Sequence, residues 1–204
     1  MDPLKAALTT AGIGGVGLGT YGLYNYGASS NERKENIGTR LVDEKFELLN
    51  NSHTDHWQTS LNKYKEKRAS ESQSIDEAKL KSLCAGILSK DKNSEEDYKT
   101  ARRYCVVPQN VSTRLSKLSF KVLNATGETH KTHWEKLATT YVTQGKGDKQ
   151  IESLSLETAD TQKTNWSQLR DKCKIVIDKD HWEDNFDSYL EKAKMWCIES
   201  SSHD

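Results

Sequence analysis

Two His-x-x-His pairs, His53 with His56 and His130 with His133, are the first places in this chain where side chains stand at a spacing able to do chemistry. Imidazoles suit zinc, and each pair would supply half of a tetrahedral ligand set. The other half does not recur: Asp55 accompanies the first pair, whereas Thr132 holds the matching place in the second. The pairs therefore read better as packing at helix starts beside Trp57 and Trp134, and no metal or other cofactor is expected. Four cysteines come next, Cys84, Cys105, Cys173 and Cys197, without the C-x-x-C spacing of a redox pair or an environment that would lower a thiol pKa. The five tryptophans, Trp57, Trp134, Trp166, Trp182 and Trp196, could line an aromatic groove, but in small lobes they serve more often as core. Asn50, Asn110, Asn124 and Asn165 head N-x-S/T triplets, which are glycan acceptors only in a eukaryotic secretory setting. No G-x-S-x-G, H-E-x-x-H, P-loop or EF-hand pattern is present, so no catalytic residue is assigned and an enzyme is not expected.

The elements that must position these residues come in two copies. Thr39-Arg40-Leu41, Phe46 and Leu49-Asn50 recur as Thr113-Arg114-Leu115, Phe120 and Leu123-Asn124. His53, His56, Trp57 and Tyr64 recur at one constant offset as His130, His133, Trp134 and Tyr141, and Cys84 and Cys105 recur as Cys173 and Cys197. Insertions between the matched blocks fall in polar sequence such as 143–150, as surface loops on a repeated scaffold should.

Within each copy the signals are helical. Asp55 with Gln58, Ser74 with Glu77, Ser94 with Asp97, Thr132 with Glu135 and Asp180 with Glu183 have capping-box spacing. Single apolar stripes run through Trp57, Leu61 and Tyr64, through Leu80, Leu83, Cys84, Ile87 and Leu88, and in copy two through Trp166, Leu169, Cys173 and Val176 or Ile177, then Phe186, Leu190, Ala193 and Cys197. The segments 45–49 and 119–123 fit a short strand or a helix tail equally well. Pro108 is expected to stop the last helix of copy one. The fold expected is mainly α: an N-terminal transmembrane helix and then two tandem small helical lobes, with a short strand in each as an option. The boundaries are an anchor at 1–28, a tether at 29–38, lobe 1 at 39–108, lobe 2 at 109–199 and a tail at 200–204.

The anchor reading rests on Ala6 to Ala28, which carries no charge and is long enough to cross the roughly 30 Å hydrocarbon core of a bilayer. Seven glycines weaken its hydropathy, although Gly15 and Gly19 form a G-x-x-x-G pair and Tyr21, Tyr24 and Tyr26 stand where an interfacial belt would. A cleaved signal peptide and a dinucleotide loop built on Gly12, Gly14 and Gly17 compete with it; the first lacks a good cleavage site and the second lacks a preceding strand. Thirty basic and thirty acidic residues give zero net charge, and no run of one sign is long enough to hold nucleic acid. With 34% hydrophobic residues the chain can bury a core, though not a large one.

The Gly-rich start, Val107-Pro108 followed by Val111 and Arg114-Leu115, and the Tyr104-Cys105 and Trp196-Cys197 segments resemble the large paralogous families of uncharacterised proteins in haemotropic mycoplasmas. The resemblance covers essentially the whole chain and implies a membrane-associated protein of a wall-less, blood-borne bacterium, in a family associated with surface display and antigenic variety. It brings no activity, cofactor or catalytic residue.

The repeat assigns one cysteine pair to each copy, Cys84 with Cys105 and Cys173 with Cys197, against the alternative of four free, buried thiols. Disulfides place the lobes outside the cell, whereas Arg33, Lys34, Arg40 and Lys45 outnumber Lys5 around the anchor and favour the inside. The function expected is a membrane-anchored, surface-displayed protein that meets a host protein or antibody; the alternative is a hydrolase, or a regulator of one, with an unrecognised site.

Overall fold

The computed structural model describes residues 35–68 and 75–199. The anchor at Ala6–Ala28, most of the tether, Ser74 and the tail at 200–204 lie outside the described residues. The described residues form eight α-helices: α1 (Ile37–Asp43), α2 (Thr54–Lys67), α3 (Glu77–Leu88), α4 (Glu95–Tyr104), α5 (Val111–Lys117), α6 (Lys131–Gln144), α7 (Asn165–Ile177) and α8 (Phe186–Trp196). A single 3-10 turn at Gly147–Lys149 comes after α6. The first four helices and the last four repeat one arrangement.

Each copy encloses its own core. Ile37, Leu41, Trp57, Leu61, Leu80, Cys84, Ala101 and Tyr104 are among the buried residues of the first, and Val111, Leu115, Trp134, Ala138, Leu169, Cys173, Ala193 and Trp196 fill the matching places in the second. The apolar stripes read along the sequence are the faces that meet there. Repetition extends to single hydrogen bonds. The Ile37 amide donates to the Lys90 carbonyl as Val111 does to Lys179, and Leu49 donates to Cys105 as Leu123 does to Cys197.

The segments 45–49 and 119–123 prove to be neither strand nor helix tail. Lys45 and Ser119 adopt positive φ, 68° and 69°, and turn the chain out of α1 and α5. Beyond each turn the backbone is extended and meets the chain past the second cysteine through one isolated bridge, Leu48 with Val106 and Val122 with Ile198. No strand forms among the described residues because the pairing is one bridge long. Helix α4 already ends at Tyr104, so Pro108 stands in the extended connection beyond the helix.

Helix starts differ from the capping expected. Asn36 and Thr39 form a reciprocal box at α1, each backbone amide reaching the other's side-chain oxygen at 2.9 Å. Asn110 takes the Thr113 amide in the same way at α5. Helices α2 and α6 begin one residue after His53 and His130, which leaves Asp55 and Thr132 inside the first turn, and α8 begins at Phe186, well past Asp180. Asp76 caps α3 through the Lys79 amide, whereas Ser94 holds the expected position at α4 and bonds to the Asp97 carboxylate. The acidic first turn and basic last turn of α4 complement its dipole.

The two lobes diverge after α2 and α6. In lobe 2 the segment between α6 and α7 is not a simple surface loop: Ile151, Leu154 and Leu156 are buried in the core, and the Tyr141 hydroxyl accepts the Ile151 amide and donates to the Leu154 carbonyl. Trp196 donates its indole N–H to the Lys149 carbonyl, which ties the same segment to α8.

Candidate functional site

The two cysteine pairs lie at bonding distance, Cys84 with Cys105 at 2.05 Å and Cys173 with Cys197 at 2.06 Å. Each joins the third helix of its lobe to the end of the fourth.

The histidine pairs open the second helix of each lobe. His53 Nδ1 accepts the Asn50 amide and His130 Nδ1 accepts the Asn124 amide, while Trp57 and Trp134 donate their indole N–H to the carbonyls of the same two asparagines. One ring nitrogen of His53 and of His130 is thereby taken up by the backbone. Among the described residues no three His, Cys, Asp or Glu side chains gather as metal ligands would.

All four asparagines of the N-x-S/T triplets use their carboxamides within the fold. Asn50 accepts the Ser52 amide and hydroxyl, and Asn124 accepts the same groups of Thr126, so the triplet spacing is that of an Asx turn closed by a hydroxyl. Asn110 caps α5, and Asn165 brackets the backbone of Glu157, donating to its carbonyl and accepting its amide. The recurrence of Asn50 and Asn124 ahead of a tryptophan was the signal available in the sequence.

Trp57, Trp134 and Trp196 are core residues. Trp166 is half-buried against its own core, with the Lys131 ammonium and Arg170 guanidinium 5.0 and 4.9 Å from its ring centre. Trp182 belongs to copy two in sequence but packs against the core of lobe 1.

Trp182 marks the seam between the lobes, which charged and aromatic side chains bridge. Arg114 stacks its guanidinium 3.8 Å from the centre of the Phe46 ring. Arg102 pairs with Asp187, Arg103 and Lys67 share Asp184 at 2.8 and 2.6 Å, and Lys117 reaches Glu47 at 3.3 Å. His181, 5% exposed, lies between them. Its Nδ1 lies 3.3 Å from the Gln109 amide nitrogen and 3.2 Å from the Gln109 carbonyl, and its Nε2 lies 3.2 Å from the Arg103 carbonyl; the neutral Nε2–H tautomer accepts from that amide and donates to Arg103. Burial pushes its pKa down to about 4, against the pull of the Gln109 and Arg103 carbonyls and with the help of the Arg102 and Arg103 charges. Burial also lowers the Arg114 pKa, with the Arg102 charge next in effect. In lobe 1, burial and then the hydrogen bond to Glu44 raise the Tyr98 phenol to about 12.

The seam has polar groups that the fold does not satisfy. Both amide atoms of Gln109, one terminal nitrogen of Arg114 and the Trp182 indole nitrogen are buried without a hydrogen-bond partner among the described residues. An open cleft of about 270 Å³ runs along the seam between Lys63, Lys67, Tyr104, Trp182 and Asp184. A second cleft, about 430 Å³, belongs to lobe 2 alone and lies between α6 and the segment 158–166, with Thr139, Val142, Thr158, Lys163 and Trp166 on its walls.

These features define a tandem helical repeat with one cysteine crosslink position per lobe and a charged, aromatic joint. Comparison of the chain with protein-family models, with curated proteins and with solved structures finds no match.

Proposed function

We propose that the protein is anchored in a cell membrane through Ala6–Ala28, displays its two lobes outside the cell and meets a host protein or antibody there, as the resemblance to the haemotropic mycoplasma families also suggests. One observation carries this reading. The residues that recur, the cysteines, His53 and His130, the asparagines and the core tryptophans, hold the same scaffold twice, whereas the largest difference between the lobes, the segment 145–164, walls a cleft about 430 Å³ in volume. A constant frame that carries a variable segment is the arrangement expected of a binding module. Among the described residues no helix is long and apolar enough to cross a membrane, so anchoring rests on the N-terminal span.

Two measurements test it. Alkaline carbonate should leave the full chain in the membrane fraction. In intact cells alkylated before lysis, non-reduced peptide maps should join Cys84 to Cys105 and Cys173 to Cys197. Release by carbonate would remove the anchor, and four alkylated thiols would remove the argument for an extracellular position.

A further inference from the structure

Lobe 2 docks on lobe 1 through side chains that have counterparts at both open ends of the pair. The surface of lobe 1 that receives lobe 2 is built on Phe46, Arg102, Arg103 and Glu47. Their counterparts in lobe 2 are Phe120, Lys194, Met195 and Lys121. Among the described residues nothing covers these as lobe 2 covers the first set: Phe46 is 5% exposed, whereas Phe120 and Met195 are each 37% exposed, two of the four large hydrophobic residues so exposed. Lys194 lies over the Phe120 ring at 5.9 Å, as Arg102 lies over Phe46 at 5.7 Å. The docking chemistry is repeated on a face that the described residues leave exposed.

The surface of lobe 2 that enters the seam also has counterparts, on the front of lobe 1. Asp187 corresponds to Glu95 and Lys117 to Asp43. The seam pair Arg102 with Asp187 translates into Lys194 with Glu95 of another copy, and both keep their sign. The seam pair Glu47 with Lys117 translates into Lys121 with Asp43, where both signs are reversed and attraction survives. Two pairs thus remain complementary, one of them through a double exchange.

Two parts of the seam do not translate: the stacking of Arg114 on Phe46, because its counterpart Arg40 is held over Tyr98, and the loop that carries His181 and Trp182. Lobe 1 has a shorter loop between α3 and α4, 89–94, without counterparts of His181 and Trp182. On lobe 2 the place near Trp196 that would receive such a loop is filled by the chain's own residues at Lys149 and Leu154. Arg40 remains over Tyr98 at 3.6 Å, bonded to Glu44 and the Lys92 carbonyl, while the pairs that must exchange, Arg40 with Glu95, Lys194 with Glu191, Lys121 with Glu199 and the present partner of Asp43, lie at the surface and are individually weak.

We propose that the face of lobe 2 formed by Phe120, Lys194, Met195 and Lys121 binds the front of lobe 1, at Asp43 and Glu95, of a second copy of this chain. The contact is head to tail, so it builds open chains unless the rotation per copy closes a ring. Without the His181 and Trp182 loop it is weaker than the internal seam, a transient interface with a dissociation constant in roughly the micromolar range.

Sedimentation of the full-length chain in detergent, at concentrations up to about 1 mM, tests this. Association that Phe120→Ser weakens about tenfold or more, with the thermal melt unchanged, is the expected result. Asp43→Lys and Lys194→Glu should each abolish association alone and, when mixed, form a one-to-one pair that grows no further, because the two ends left over oppose like charges at both positions. This mixing arm stands even if Phe120→Ser disturbs the fold. A photo-crosslinking residue at position 195 should join the peptide carrying Asp43 from another copy. A wild-type chain monomeric throughout, association indifferent to the three substitutions, or crosslinks only to residues 1–34 or to a different protein would overturn the proposal.

Discussion

At the scale of single residues, His181 ties stability to pH. Its ordinary pKa of 6.5 falls to about 4 in the fold, so the unfolded chain takes up a proton that the folded chain refuses. Stability therefore rises with pH across this window: the contribution is complete above about pH 6.5 and is lost as pH falls towards 4, for a total of about 3 kcal/mol. Urea titrations at pH 7.5 and pH 4.5 should show this loss, and His181→Gln should flatten it while lowering stability at neutral pH. Asp97 and Asp184 also have lowered pKa values, from their hydrogen bonds to Lys90 and Lys67 respectively, but their effect falls below the ordinary carboxylate pKa of 3.8 and so in a separate window. Gln109 offers the opposite test. Its carboxamide is buried without partners among the described residues, and only its backbone serves His181. Gln109→Met keeps the volume and removes the orphaned groups, so a gain of about 1 kcal/mol in urea unfolding is expected.

At the scale of elements, the end of α6 shows how a lobe-specific segment is held. A Cβ at Gly145 would meet the Tyr141 ring at 2.5 Å, and that ring is pinned by Ile151 and Leu154 through its hydroxyl. Gly145→Ala must therefore displace a buried ring rather than a flexible tip. A loss of about 1 to 3 kcal/mol is expected by thermal or chemical denaturation. The helix-to-helix crosslink gives a second prediction. Cys173 and Cys197 are 24 residues apart, and loop-closure estimates put their bond at about 3 kcal/mol, so Cys173→Ala with Cys197→Ala should lower stability by about that much. Both substitutions remove little volume, which keeps the cavity contribution small.

At the scale of the whole molecule, two cores meet at a joint that is mostly charged and aromatic. Because the core of lobe 2 draws only on residues 111–198, residues 109–199 expressed alone should melt cooperatively as a helical domain by circular dichroism. A broad, non-cooperative melt would mean that the seam, with Trp182 seated on the first core, is needed for either lobe to fold.

The duplication, the mainly helical class and the apolar stripes could be read from residue order, because 3.6-residue periodicity and matched blocks are local properties. The cysteine pairs came from the same repeat, since one pair per copy leaves a single symmetric pairing. Helix starts were read less well: Asp55, Thr132 and Asp180 have capping spacing, but Asn50 and Asn124 place the entry to α2 and α6 through turns that bond a histidine ring and an indole several residues away. Only tertiary structure decides such contacts. The seam was illegible for the same reason. Asp187 and Glu95 occupy equivalent places, yet one bonds across the lobes to Arg102 and the other stays with Arg40 in its own lobe. Residue type does not distinguish them; what does is that Tyr98 holds Arg40 within lobe 1, whereas Leu190 offers Arg114 no ring and Phe46 across the seam does.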